Sequence, residues 1–185
     1  MPKRKVKVNL NSLIENSHER KRQKVCGNIK VHFDGASIVS AICRNLRRAD
    51  TYYVMGCSAW FTNPSIISAM ASNLKGCCVI VTKDKILRAK TTKNRYRSLP
   101  VYQDAAIRVI GCGSGWNKSL MHHKFLVGMS KEGDPLWVST GSFNMTKSAT
   151  NHLENCMVIN DPAVAQVYLD EFVNLYKISK ALKLN

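Results

Sequence analysis

The chain has 185 residues, 45% of them hydrophobic, which suits one domain with a real core. Lys and Arg number 28 against 12 Asp and Glu, a net charge of +16 that favours a polyanionic partner, either nucleic acid or an anionic membrane surface. No apolar run approaches the ~20 residues of a membrane span, which argues against stable membrane insertion, and the seven scattered cysteines lack any C-x-x-C pair, which argues for reduced thiols over a disulfide framework.

Residues 1–27 read as a basic N-terminal arm. Residues 1–30 hold nine basic and two acidic residues, and Lys3-Arg4-Lys5 and Arg20-Lys21-Arg22 flank a short helical stretch, Asn9 to Ser17. A nuclear address, a nucleic-acid-binding arm and a solubilising tail all stay open for it. Its first residues are charged and lack an apolar core, unlike a secretory signal, so the expected location is intracellular, cytoplasmic or nuclear.

The folded body is expected over 28–185. Ile29 to Phe33 alternates as a strand. Ala36 to Ala49 carries a helical stripe of Ile38, Ala41, Ile42, Leu46 and Ala49. Thr51 to Cys57 is rich in β-formers. Thr62-Asn63-Pro64 starts a helix that Gly76 stops, and Cys77 to Thr82 is a continuous apolar run of the kind buried on both faces. This alternation predicts α/β layers around a mixed, largely parallel sheet.

Lys83 to Pro100 is a basic loop with room for a short helix. Its segment 83–97 holds seven basic residues and one acidic one: Lys83, Lys85, Arg88, Lys90, Lys93, Arg95 and Arg97 against Asp84. These seven are the candidate substrate-binding residues. Ala106 to Ile110 is a further strand. Gly111 to Trp116 reads as a mobile loop, because no helix and no Gly-Lys-Ser follow to make it a phosphate loop. Beyond it, Cys156 to Ile159 is a strand. Asp161-Pro162 opens the last helix, to about Ser179, with Val164, Val167, Tyr168, Phe172, Leu175 and Tyr176 as its buried stripe.

The chemistry concentrates between Met121 and Asn155. In Met121-His122-His123-Lys124-Phe125, a strand-like alternation sends His122 and Lys124 to one face and His123 to the other. A lone strand histidine is usually structural, but a lysine as its same-face neighbour is an odd choice for a core. A turn from Ser130 to Pro135 leads to a second strand ending in Gly141-Ser142-Phe143-Asn144, and Glu154 follows. The candidate catalytic residues are therefore His122, Lys124, Ser142, Asn144 and Glu154. They supply a nucleophile or proton carrier, a cation for phosphate, neutral donors and a carboxylate, the parts of phosphoryl transfer without a metal. No metal ligand set and no cofactor are implied.

At these residues the chain resembles the phospholipase D superfamily, through His122-x-Lys124, Gly141-Ser142-Phe143-Asn144 and Asn151-x-x-Glu154-Asn155. The His-His-Lys-Phe form is similar to its single-motif nuclease branch, that of Zucchini and small bacterial endonucleases. The resemblance covers about residues 28–180 and implies a layered α/β/α fold. It further implies that His122 attacks phosphorus to form a phosphohistidine and that Lys124, Asn144 and Ser142 hold the phosphate oxygens. Glu154 would orient the imidazole, and a second histidine would protonate the leaving group. One motif per chain then implies a homodimer with the active site on its two-fold axis. Where the family carries an Asp, this chain has Met129; the resemblance makes that Asp architectural, so restoring it by Met129→Asp is expected to be harmless, with Asp134 a possible substitute. A nucleic-acid endonuclease acting on DNA or RNA is the first reading. A phospholipid hydrolase or transphosphatidylase, and a catalytically inactive nucleic-acid-binding relative, stay open beside it.

Overall fold

In the computed structural model, which describes residues 23–111 and 120–184, the apolar run Gly76–Thr82 is a strand buried along its whole length. Its odd and even residues face two different cores. Cys77, Val79 and Val81 meet one cluster, Cys78 and Ile80 the other. Two-sided burial is what a continuous apolar strand needs.

In chain order the strands are β1 (Gln23–Cys26), β2 (Ile29–His32), β3 (Tyr53–Ser58), β4 (Gly76–Thr82), β5 (Ile107–Ile110), β6 (Lys124–Met129), β7 (Pro135–Gly141), β8 (Cys156–Ile159) and β9 (Lys180–Ala181). The described α-helices are α1 (Gly35–Leu46), α2 (Pro64–Asn73), α3 (Lys90–Arg97) and α4 (Pro162–Ile178). The strands form one nine-stranded sheet in the order β1-β2-β8-β7-β6-β3-β4-β5-β9. Helices α1 and α2, with Tyr96 of α3, pack on one face, and α4 packs on the other. This is the expected α/β/α layering around a mixed sheet, with a different balance of directions. Only β3–β4 and β4–β5 pair in parallel. The remaining strand pairings are antiparallel: β1–β2 and β6–β7 are hairpins, β7–β8 closes a longer loop, and β2–β8, β3–β6 and β5–β9 join distant stretches of the chain.

Local signals account for the helix starts. Asp34, Asn63 and Asp161 cap α1, α2 and α4 by accepting hydrogen bonds from backbone N–H groups of the first turn. Pro64 and Pro162 stand where a missing N–H costs nothing. The expected stripe of α1 is buried through Ile38, Ala41, Ile42 and Leu46, and the helix ends before Ala49. In α4 the buried line runs through Ala165 and Phe172, whereas Val167, expected inside, is 66% exposed. The folded body also begins before residue 28: β1 pairs with β2 through a hairpin at Gly27, whose φ of +54° suits a glycine. The rest of the arm, and residues 112–116 of the expected mobile loop, lie outside the described residues.

Met129 ends β6 and is 8% exposed, packed with Met55 and Phe172 under α4. Its carbonyl accepts from the Tyr52 N–H at 2.8 Å. Asp134 does not take its place; it is exposed in the turn, where its N–H donates to Ser130 Oγ at 3.2 Å. Met129→Asp, expected to be harmless, would set a carboxylate in a largely apolar cluster, beside a cavity whose lining also includes Gln103 and Lys177. The substitution is expected to lower stability by about 1–3 kcal/mol. Urea unfolding checks this, and an unchanged or raised midpoint refutes it.

Candidate active site

The central strand β6 carries the site on its N-terminal end. Lys124 pairs with Ser58 at the C-terminal end of β3, and His122 lies just ahead of the strand. The segment before β6 is fixed by Thr82, whose Oγ1 donates to the Met121 carbonyl at 2.6 Å. The expected facing is observed. His123 turns to the α4 side, with Nε2 3.2 Å from the Glu171 carboxylate and its ring against Phe125. His122 is exposed, and its ring meets Trp60 edge-on at 5.9 Å between centroids.

Lys124 is 8% exposed, and its Nζ donates to the His122 carbonyl at 2.5 Å. Burial lowers its pKa, and the nearby Glu154 carboxylate works in the opposite direction. Partial burial also lowers the His122 pKa, aided by the positive charges of Lys124 and His123. Both influences favour the neutral imidazole, the form in which a ring nitrogen has a free electron pair.

The Gly141–Asn144 loop is knitted to the segment that carries Glu154. Ser142 N–H donates to the Asn155 carbonyl at 3.1 Å, and Asn155 N–H donates to Ser142 Oγ at 3.1 Å. A Cβ on Gly141 would stand 2.3 Å from that same carbonyl, so only glycine allows this approach. The Ser142 hydroxyl donates to the Glu154 carboxylate. Glu154 is thus engaged by Ser142, and no hydrogen bond joins it to His122 within the chain. Asn144 is half-buried next to these groups, and its buried Oδ1 has no partner among the described residues. Its backbone neighbourhood is fixed from β3: Thr62 and Asn63 both donate N–H to the Met145 carbonyl at 2.8 Å, and Met145 N–H donates to Ser58 Oγ at 3.3 Å.

The basic segment is clamped to the same end of the sheet. Tyr96 of α3 is 1% exposed, stacks on Phe61, and donates its hydroxyl to the Phe61 carbonyl at 2.5 Å. Asp84 accepts from Trp60 Nε1 at 3.2 Å, so the start of the segment is one residue removed from the His122 ring. Lys83, Lys85, Arg88, Lys90, Arg95 and Arg97 are exposed, and Lys93 is half-buried. Lys83, Lys85, Arg88 and Lys93 line a cavity of about 470 Å³ with Leu182. Arg95 leans on the Thr62 carbonyl, and Arg97 is tied to Asn94 and to the Leu184 carbonyl, away from the others. Trp60, Asp84 and Tyr96 carried no signal as site residues in the sequence. Among the described residues no group of three or more His, Cys, Asp or Glu could hold a metal ion, and no helix is long and apolar enough to cross a membrane.

An α/β/α layer structure with a His-x-Lys pair at the head of its central strand defines a phospholipase D-like domain. Residues 42–176 match the family model described as "Cardiolipin synthase, PLD-like domain", and the chain belongs to that family. A curated relative, the uncharacterized protein L381 of Acanthamoeba polyphaga mimivirus, is 30% identical over 166 residues. The match takes in 69% of this chain and 59% of that relative's length. Among solved structures, NucT from Helicobacter pylori superposes with a TM-score of 0.64 at 14% identity, covering 83% of this chain and 98% of that one. Nuc, a phospholipase D family member from Salmonella typhimurium, gives 0.57 at 20% identity, covering 84% and 97%. The archaeal chromatin protein TrmBL2 gives 0.53 at 13% identity, covering 94% and 59%.

Proposed function

We propose that this protein is a phosphodiesterase that cleaves nucleic acid without a metal, through a phosphohistidine on His122, in a site shared by two copies of the chain. The observation that carries the reading is the exposed His122 beside buried Lys124, at the sheet end to which the cationic 83–97 segment is clamped. A ring nitrogen of His122 attacks phosphorus, and the bond to the leaving nucleoside oxygen breaks. That oxygen takes a proton from a second histidine. Water then attacks the phosphohistidine and returns a proton to the second histidine, and the P–N bond breaks to free His122. Lys124 and Asn144 face the charge that develops on the non-bridging oxygens. Ser142 and Glu154 stand together beside them, and for Glu154 to orient an imidazole it must leave Ser142.

The charge of the chain supports nucleic acid as substrate, as does the fold neighbour TrmBL2, whose structure is described as showing a novel mode of DNA binding. A single His-x-Lys per chain supports the single-motif branch and a homodimer. Leu153, 94% exposed next to Glu154, and Leu120, 41% exposed near His122, give an interface apolar contacts around the site. The lipid reading draws on the description of the matching family model, and both readings share one assay. Protein in EDTA is incubated with single-stranded DNA, duplex DNA, RNA and phosphatidylcholine vesicles. Cleavage of at least one nucleic acid in EDTA is expected, with binding that weakens steeply as salt rises. Activity lost in EDTA and restored by magnesium rejects the metal-free mechanism. Cleavage of lipid alone favours the hydrolase, and binding without cleavage favours an inactive relative.

A further inference from the structure

His32 is 4% exposed, and neither of its ring nitrogens has a hydrogen-bond partner among the described residues. Buried polar groups are rarely left this way, because desolvation is then uncompensated. The ring lines a cavity of about 190 Å³ between β2 and α1, several times the ~30 Å³ that a water molecule occupies. The other polar walls are cationic. Lys30 comes from β2, Arg44 and Arg48 from the end of α1, and Asn160 closes one side. Arg48 is committed, bidentate to Asp50 and bonded to Asn160 Oδ1 at 2.7 Å. Arg44 and Lys30 make no ion pair or side-chain hydrogen bond among the described residues, and both raise the positive potential at His32. A metal ion is repelled by such a wall. A tetrahedral oxyanion can instead accept from the Lys30 ammonium and the Arg44 guanidinium on separate oxygens, and a turn of the His32 ring, whose nitrogens are sealed in this structure, would add the imidazole N–H.

We propose that this cavity is a phosphate-binding site, separate from the His122 site. Its placement defines two sources for the phosphate. Gly141, Cys156 and His32 are paired neighbours across β7, β8 and β2, and the Phe125–Thr140 pair sets Lys124 opposite Gly141. At about 4.8 Å per strand, His32 lies roughly 14 Å from Lys124 on the same sheet face. A small free phosphate and a backbone phosphate of a nucleic acid strand both meet the chemistry.

The test follows assigned ¹H–¹⁵N signals of the His32 ring, with those of His122 as an internal monitor of the other site. Inorganic phosphate is titrated at constant ionic strength into the full chain and into Lys30→Gln and Arg44→Gln, both surface changes. Saturable movement of the His32 signals is expected, with affinity about tenfold weaker in each variant. A single-stranded oligonucleotide is then bound to His122→Ala protein with and without the same two changes. Weakened oligonucleotide binding identifies a backbone phosphate; unchanged oligonucleotide binding beside a weakened phosphate titration identifies a small phosphate. His32 signals that ignore both ligands, or phosphate affinities in both variants equal to that of the unaltered chain, overturn the proposal. None of these readouts requires catalysis, so they stand whether or not the chain cleaves nucleic acid.

Discussion

His122→Ala is expected to cut kcat by about 10⁴-fold or more while nucleic-acid affinity changes by less than about threefold. The asymmetry follows from how the two functions are distributed. Bond making in the proposed mechanism falls to one ring nitrogen at the head of β6. In the same proposal, grip on the polyanion is spread over Lys83, Lys85, Arg88, Lys90, Lys93 and Arg95 and the other cations of a chain with net charge +16. His123→Ala serves as the control, since its ring pairs with Glu171 on the opposite face and its loss should leave most activity. A dead His123→Ala with an active His122→Ala would reverse the assignment. The pH profile adds an independent mark. In the single chain burial chiefly lowers the His122 pKa from its ordinary 6.5, and in the proposed pair of His122 rings the acid limb marks protonation of the member that stays neutral at the optimum. The acid limb of kcat/KM should accordingly fall below pH 6.5. A limb that starts to fall well above 6.5 would show that another group controls the nucleophile.

Much of this site was legible before any coordinates, because its parts are short-range patterns. His122 and Lys124 are two residues apart on a strand, and Gly141 to Asn144 end the next one. What the pattern could not show is who meets whom over distance. Trp60 reaches Asp84 and His122 across long sequence separations, and Tyr96 reaches the Phe61 carbonyl in the same way. Such contacts leave no period in the sequence. Glu154 was identifiable as a carboxylate near the site, but its engagement with Ser142 depends on how the 142 and 155 backbones cross. Direction in the sheet failed for a similar reason. The early alternation ran from β2 through β3 to β4; β3 and β4 do pair in parallel, but β2 pairs antiparallel with the distant β8, a partner that no local pattern announces. Val167 misled because an apolar residue at helical spacing need not be inside. His32 had no visible partner in the sequence and has none among the described residues, which is what makes its cavity informative.

The second large effect concerns sharing. The proposed chemistry needs a nucleophile and a general acid on opposite sides of one phosphorus. His122 heads the one strand that supplies a His-x-Lys pair. His123 faces α4, and His32 sits in its own cavity three strands away. A two-fold axis through the site brings a second His122 to the phosphate, and one geometry then serves both roles. Two like groups so close titrate as a pair, with one proton between them at the optimum. Wild-type and His122→Ala chains mixed one to one, with free exchange, form roughly a quarter wild-type dimers, half heterodimers and a quarter mutant dimers. If both imidazoles are required, the heterodimer is silent and the mixture should retain roughly a quarter of the activity of the same total wild-type protein. If each chain works alone, it retains roughly half. Light scattering on size-exclusion peaks checks that exchange is complete and that the active species is a dimer. A retained half, or turnover in a monomer peak, would place the general acid within a single chain and send the search to a residue of the same subunit.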